Sequence, residues 1–189
     1  RGNKNLLNSL IHDIKKKNLD LSVIVNGLDD GASTGKIRYL FSKPTHGISD
    51  FLKVILSLSS NNEIIDLFEK RFPSTNSKKE REKLMDKVQS FLNGERLFIL
   101  EEHDQTDRDI ENTIRLCLSN LCNHFDGRDN KEIDFSDFKI GNIIFASQII
   151  DKNFNFKSAI LEFSRIVNVD FSNVRIIQSS ETPAYLCGV

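Results

Sequence analysis

The sequence predicts an α/β fold, a doubly wound and mostly parallel sheet that carries a helical insertion. Two short β-rich runs, Leu21 to Val25 and "NVRIIQSS" at residues 173–180, predict strands. Amphipathic stretches at helical spacing lie between them. Strands that alternate with helices are typical of a parallel sheet. A length of 189 residues fits one domain. We therefore predict one α/β domain over residues 1–189, incomplete at both ends, with the helical insertion at residues 73–137.

The first third of the chain predicts a helix, a strand, a loop and two further helices. Apolar residues recur at helical spacing from Asn3 to Lys17. The run Leu21 to Val25 is short and apolar, as a buried parallel strand would be. A loop follows at residues 26–38. Residues Ile48 to Leu58 and Glu63 to Arg71 again show helical spacing.

The insertion and the segment after it predict four more helices. "SKKEREKLMDKVQSFL" and "DIENTIRLCLSNLCNHF" are amphipathic, and the polar loop "DGRDNKEIDFSD" follows them. "KIGNIIFASQII" and "FKSAILEFSRIV" then predict two helices before the second strand. The charged run from Lys78 to Lys87 is typical of a solvated helix face.

Composition narrows the class of partner. The chain has 26 Lys and Arg against 27 Asp and Glu, a formal net charge of -1. This balance gives no electrostatic reason to expect nucleic acid as a partner. The sequence shows no bilayer-spanning run and opens without a signal peptide, so we expect no membrane partner and a cytoplasmic location. Cys117, Cys122 and Cys187 are odd in number and do not complete a zinc pattern, which favours buried thiols.

The loop "NGLDDGASTGKIR" at residues 26–38 concentrates anion-binding and metal-binding chemistry after the first strand. Its three glycines would let backbone amides approach an anion closely. Ser33 and Thr34 are hydroxyl donors, and Lys36 is a cation. Asp29 and Asp30 would fit beside a diphosphate if Mg²⁺ bridged them to it, or they would bind sugar hydroxyls. The loop lacks the P-loop pattern. A polar surface turn remains the alternative.

Three other stretches carry weaker signals. "RGNKN" opens a predicted helix whose free N–H groups could bind an anion, although most such starts are ordinary caps. "PTHGISDFL" contains His46 and Asp50 ahead of a helix, and Asp50 could simply be its N-cap. Gly141 and Asn142 begin an apolar helix. The glycine would admit either a ligand or a tight loop–helix junction.

These segments, in this order, resemble the CofD/YvcK-like family, which contains 2-phospho-lactate transferases and gluconeogenesis-factor proteins. "DDGASTGKIR" is similar to the family's "DDGGSSGRLR"-type segment, and it is the most specific match. "HGISDFL" takes the place of a "GDIRNCL"-type segment, "LFEKRF" of "LFxYRF", and "KIGNIIFASQII" of "SLGNLLLAAL". "FKSAILEFSRIVNVDFSNVRIIQSS" is similar to the family's last motif. In "HGISDFL", His46 and Gly47 stand where the family has Gly and Asp, and Asp50 stands where the family has Asn.

The resemblance implies a Rossmann-like sheet and a transferase that moves a phospho-lactyl-type group from a nucleoside diphosphate carrier with Mg²⁺. The alternative is a YvcK-like regulator that binds a nucleotide sugar without catalysis. Asp29, Asp30 and His46 are the predicted catalytic residues, and the two aspartates would hold the metal. A homodimer is left open. The predicted nucleotide- and phosphate-binding residues are Gly2, Asn3, Asn26, Gly31, Ser33, Thr34, Gly35, Lys36, Gly47, Asp50, Gly141 and Asn142.

Overall fold

The two described strands pair in parallel although they lie far apart in the chain. The structure is a computed structural model, and it describes residues 13, 21–25, 35–37, 41, 48–100, 108–125, 133–169 and 174–178. Strand β1 (Leu21–Val25) and strand β2 (Val174–Gln178) form a two-stranded sheet. Leu21 is opposite Val174. A parallel pair needs a long crossover connection, and here the described helices lie in that connection.

The chain divides into two compact units, Arg1–Asn61 with Ser164–Val189, and Asn62–Phe163. The first unit contains the sheet and helix α1 (Ile48–Leu58), which contacts β1. From Phe51 to Leu58 every side chain of α1 except Lys53 is buried. An apolar helix buried on most of its circumference belongs in a core. The hydroxyl of Ser59 donates to the Val167 carbonyl at 2.8 Å, which joins the end of α1 to the chain that leads to β2.

The second unit is built from helices. Along the chain these are α2 (Asn62–Glu69), α3 (Lys78–Leu92), α4 (Arg108–Phe125), α5 (Ile140–Asp151) and the larger part of α6 (Phe156–Ile166). Every residue of α5 from Ile140 to Ile149 is buried. Helices α2 and α4 both contact α5, and α3 contacts α4. Helix α5 is therefore the central element of this unit.

Phenylalanines fill much of the second unit's core. The ring of Phe163 lies 5.8 Å from Phe68 and 5.5 Å from Phe145, measured between centroids. A separate group forms where Phe72 lies 6.1 Å from Phe135. Aromatic side chains bury large areas, and tilted or edge-to-face pairs add to that stabilisation. These contacts fix α2, α5 and α6 together from residues that are distant in sequence.

The predicted doubly wound, mostly parallel, Rossmann-like sheet is wrong for this structure. Helices make up most of the described residues, and the strands described there are β1 and β2 alone, with one isolated antiparallel bridge between Arg71 and Lys139. Two strands are too few for a doubly wound sheet. The apolar runs between β1 and β2 have helical spacing. The longest of them became buried helix α5, as its length favours.

Individual elements were predicted better than the architecture. Both strands are confirmed, helix α1 has the predicted bounds, and the predicted helices after it appear within two residues of their predicted ends. The charged run on α3 is exposed except for Leu84 and Met85, as predicted for a solvated face. The helix predicted from Asn3 to Lys17 lies outside the described residues apart from Asp13, whose backbone is helical.

Within the part of the chain that the structure describes, no helix is both long and apolar enough to cross a bilayer. The second unit, Asn62–Phe163, encloses the segment 73–137 that we predicted as an insertion. The assignment of residues 1–189 to one domain with that insertion stays a prediction, as do the cytoplasmic location and the homodimer.

Candidate functional site

Most of the predicted site lies outside the described residues. The predicted catalytic and metal-binding residues, Asp29, Asp30 and His46, belong to this group. So do seven of the predicted nucleotide-binding residues, namely Gly2, Asn3, Asn26, Gly31, Ser33, Thr34 and Gly47. Their roles stay predictions. The described residues that remain are Gly35, Lys36, Asp50, Gly141 and Asn142.

Three of these residues lie in the first unit, in helical backbone. Gly35 and Lys36 are helical together with Ile37, whose side chain is fully buried. The predicted loop therefore gives way to a helical segment by Gly35. Asp50 is the third residue of α1, so the interpretation of Asp50 as the N-cap of that helix is wrong. A carboxylate in a first helical turn is still favourable, because the helix N-terminus carries partial positive charge.

Gly141 lies where α5 packs closely against α2. A Cβ atom at this position would be 3.2 Å from the carbonyl oxygen of Phe68 and 3.3 Å from its Cβ. Both distances are shorter than ordinary van der Waals contact. Close packing of the two helices therefore accounts for a glycine at this position.

Asn142 is the most unusual of the described site residues. Asn142 is 1% exposed, and its buried Nδ2 atom has no hydrogen-bond partner among the described residues. An unsatisfied buried donor costs about 1–3 kcal/mol, and such groups in native proteins often mark a site for a ligand or water. Asn142 is the third residue of α5, and Cα–Cβ bonds in a helix tilt toward its N-terminus. The Cα–Cβ bond of Asn142 therefore tilts toward the start of the helix.

The start of α5 has a charged neighbour and no side-chain cap. Lys139 occupies the N-cap position in extended conformation, and its side chain makes no capping hydrogen bond. Instead, Lys139 Nζ pairs with Glu69 Oε2 at the end of α2. The Ile140 N–H donates to the Lys70 carbonyl at 3.1 Å. A helix start that lacks a side-chain cap has backbone N–H groups and a dipole suited to an anion.

The loop before α5 is held by hydrogen bonds to the chain that follows α2. The Phe72 N–H donates to the Phe138 carbonyl at 2.9 Å, and the Arg71 guanidinium donates to the Asp137 carbonyl at 2.8 Å. The Thr75 N–H donates to Ser136 Oγ at 2.9 Å. Asp137 has a φ of 61°, a left-handed conformation that is uncommon for residues other than glycine. These bonds hold the approach to α5 in one arrangement.

A second polar cluster joins α4 to α5. Asn120 Nδ2 donates to Ser147 Oγ at 3.0 Å and to Asp151 Oδ1 at 2.6 Å. Burial raises the pKa of the nearby Cys117 thiol to about 11; a hydrogen bond with Ser147 opposes that rise, and Asp151 adds to it. Since the thiolate is the reactive form, Cys117 is a poor nucleophile near neutral pH. The cluster has the character of a helix–helix contact. In the described residues, no group of three or more His, Cys, Asp or Glu side chains could hold a metal ion.

Sequence reasoning missed Lys139 and Glu69. The sequence contains one indication of Lys139, which lies two residues before the predicted site residue Gly141. Its partner Glu69 is far away along the chain, and only folding brings the two together.

Comparisons with known proteins gave two structural likenesses. No protein-family model and no curated protein matches the chain. Two solved structures of protein BH3568 from Bacillus halodurans do, at TM-scores of 0.49 and 0.48 and identities of 17% and 18%. Each match covers 92% of this chain and 36% of the other, so this chain spans about a third of that protein's length. One of the two describes BH3568 as a member of the upf0052 family.

Proposed function

We propose that this chain binds a nucleoside diphosphate or a nucleotide sugar, and that the first turn of α5 takes part in holding the diphosphate. The proposal combines two kinds of support. The sequence motifs resemble the CofD/YvcK-like family in content and in order. The start of α5, which contains one of those motifs, has a buried donor that finds no partner in the described part of the chain.

Asn142 is the observation that carries the proposal. Its Nδ2 atom is a hydrogen-bond donor removed from water, and a diphosphate oxygen is a strong acceptor that would satisfy it. The helix N-terminus beside it favours the same charge. A purely structural asparagine in a core is normally hydrogen-bonded. The ligand-binding interpretation therefore explains a feature that the packing of the helix leaves without a reason.

The resemblance to the CofD/YvcK-like family also implies a role for the loop after β1. Asp29 and Asp30 are hard oxygen ligands, which suit Mg²⁺, and bound Mg²⁺ would neutralise charge on a diphosphate. Lys36 would add a second positive charge. In a transferase, an acceptor hydroxyl would bond to phosphorus, the bond to the bridging oxygen would break, and a nucleoside monophosphate would leave. His46 would take the hydroxyl proton.

The second candidate function is a regulator that binds a nucleotide sugar without turnover. The two functions differ in the consequence of Asp30→Asn. In a transferase the change should abolish release of a nucleoside monophosphate from a guanosine or uridine diphosphate donor, a release that needs Mg²⁺. In a regulator it should only weaken binding, and the nucleotide sugar should be recovered intact. Chromatography of the nucleotide after incubation distinguishes the two outcomes.

Thermal unfolding with GDP, UDP and UDP-sugars, each with and without Mg²⁺, tests the binding itself. A ligand at about 100 times its Kd stabilises the folded state by about 2.7 kcal/mol, which is a clear rise in Tm. Asn142→Leu should remove that rise. The same change should leave the Tm of the unliganded protein equal or higher, because replacing an unsatisfied amide with an apolar group of similar size is neutral or stabilising.

The matched control is Asn123→Leu on α4, an exposed position in the same unit. It should leave the ligand-induced rise unchanged. If no nucleotide in the panel raises the Tm of the unaltered protein, the proposal is wrong. If nucleotides bind and Asn142→Leu binds them equally well, the assignment of the first turn of α5 to the diphosphate is wrong.

A further inference from the structure

The ion pair of Lys139 with Glu69 joins two charges at helix ends that do not favour them. Glu69 is the last residue of α2, where the helix dipole is negative. Lys139 precedes the first turn of α5, where the dipole is positive. Each charge compensates the other. The side chain of Lys139 is 17% exposed and that of Glu69 is 34% exposed, so water screens this ion pair less than it screens a fully exposed one.

An anion at the start of α5 would change this balance. The helix there has no side-chain cap, and the buried Nδ2 of Asn142, one turn from Lys139, has no partner among the residues that the structure describes. A phosphoryl group bound here would interact favourably with the helix N-terminus and with a cation beside it. Lysine suits such an exchange, because its ammonium has three donors on a flexible stem and can move between acceptors.

We infer that Lys139 is a diphosphate-binding residue and that Glu69 is its internal competitor, an acidic side chain that holds Lys139 until an anion replaces it. This inference rests on the proposed function and goes beyond it, because it assigns a residue and a control of affinity to the site. Two consequences follow. Removing Lys139 weakens anion binding, and removing the charge of Glu69 strengthens it.

Isothermal titration with inorganic pyrophosphate, GDP and UDP tests both consequences. Lys139→Gln should weaken binding about tenfold, since a hydrogen bond to a charged group is lost. Lys139→Arg keeps the charge and should restore most of the affinity. Glu69→Gln should tighten binding about threefold to tenfold, from release of the lysine. A gain in affinity is a result that loss of folding or a purely structural ion pair would not produce.

The double variant separates competition from simple repulsion. If Glu69 acts by holding Lys139, then Glu69→Gln should give little gain in a protein that already carries Lys139→Gln. A full gain in that background would show that Glu69 only repels the anion, and the competitor role would be wrong. Lys152→Gln and Glu162→Gln are matched controls. This pair, at 3.6 Å, lies at the other end of α5 and should leave pyrophosphate binding unchanged.

The outcomes also distinguish this inference from the proposed function. If GDP or UDP binds and the variants at Lys139 and Glu69 do not change the affinity, the inference is wrong and the proposed function stands. If pyrophosphate binds with the expected dependence and no nucleotide binds, the inference stands as an anion site and the proposed function is wrong. If none of the three probes binds, both are wrong.

Discussion

Gly141 and Asn142 are adjacent in sequence and have different physical explanations. Gly141 allows α5 to approach the backbone of Phe68, which is a contact within the protein. The buried amide of Asn142 has no such explanation within the described residues, because its donor has no partner there. The positions of these two residues at the start of α5 would not by themselves distinguish packing from ligand binding. The contacts assign packing to the first residue and leave ligand binding as the proposal for the second.

Gly141→Ala should destabilise the protein by about 1 kcal/mol. Overpacking costs roughly 1–3 kcal/mol, and the better helix propensity of alanine returns up to about 1 kcal/mol. The backbone near Phe68 has little freedom to move, since the carbonyl of Lys70, two residues further along, accepts from the Ile140 N–H. Urea unfolding measures the loss. An unchanged or higher midpoint would show that α2 can shift away from α5 at no cost.

Cys117 should make stability fall with rising pH at the alkaline end. Burial raises the pKa of its thiol from 9.0 to about 11, so the unfolded chain loses the proton first. The stabilisation of the folded state by the neutral thiol is complete below about pH 9 and is lost as the pH rises through about 11. The slope is at most roughly 1.4 kcal/mol per pH unit.

The measurement compares urea unfolding of the unaltered protein and of Cys117→Ala between pH 8 and pH 11. This range covers the rise in the pKa of the Cys117 thiol. The variant should lack this part of the alkaline decline. Cys122→Ala, on the same helix and only partly buried, should keep it. Equal slopes in all three proteins would contradict a buried, neutral thiol at Cys117.

At the scale of elements, α3 shows how a local signal can define a helix end. Ser77 Oγ accepts from the Glu80 N–H at 3.2 Å, and Glu80 Oε2 accepts from the Ser77 N–H at 3.2 Å, which together form a capping box. The end of α3 has local backbone bonds, from the Asn93 and Gly94 N–H groups to its last carbonyls, and a tertiary contact in addition. Arg115 of α4 donates to the Phe91 carbonyl at 2.8 Å and lies over the Phe91 ring at 4.6 Å. The helix start was readable from sequence, and this contact at its end was not.

Ser77→Ala should cost about 1 kcal/mol of stability, since a hydroxyl N-cap is lost. The effect should also depend on pH. The Asn76 N–H, with the bonds from Ser77, lowers the pKa of the Glu80 carboxyl. The stabilisation that these bonds to the Glu80 carboxylate give the folded state is present above the ordinary glutamate pKa. It is lost as the pH falls through the lowered pKa. Ser90→Ala on the same helix is the control. Unfolding midpoints at pH 7 that do not differ between the two variants would show that the cap is not stabilising.

At the scale of the whole molecule, the two units differ in how the chain builds them. Asn62–Phe163 is one continuous stretch, whereas Arg1–Asn61 and Ser164–Val189 must come together from both ends of the chain. The pairing of β1 with β2 and the Ser59–Val167 hydrogen bond are long-range contacts in the first unit. Bringing two distant segments together costs loop-closure entropy, so this unit depends on the presence of both segments.

Residues 62–169 should therefore fold without the rest of the chain. This fragment keeps α6 whole and contains central helix α5, the helices that contact it and the phenylalanine contacts around Phe163. Circular dichroism should show a helical protein with a cooperative thermal transition. A fragment with little helix, or one that melts without a transition, would show that the second unit depends on the remaining residues.

The sequence by itself determined where most described helices and both strands lie, because hydrophobic spacing, capping residues and β-branched runs act over a few residues. It also indicated the start of α5 as a candidate site through Gly141 and Asn142. Only the tertiary structure decided how many strands pair, that α5 is the buried centre of its unit, and that Lys139 meets Glu69. These features depend on contacts between residues far apart in the chain. Spacing within a segment reports which face is apolar, and it carries no information about which distant segment will cover that face.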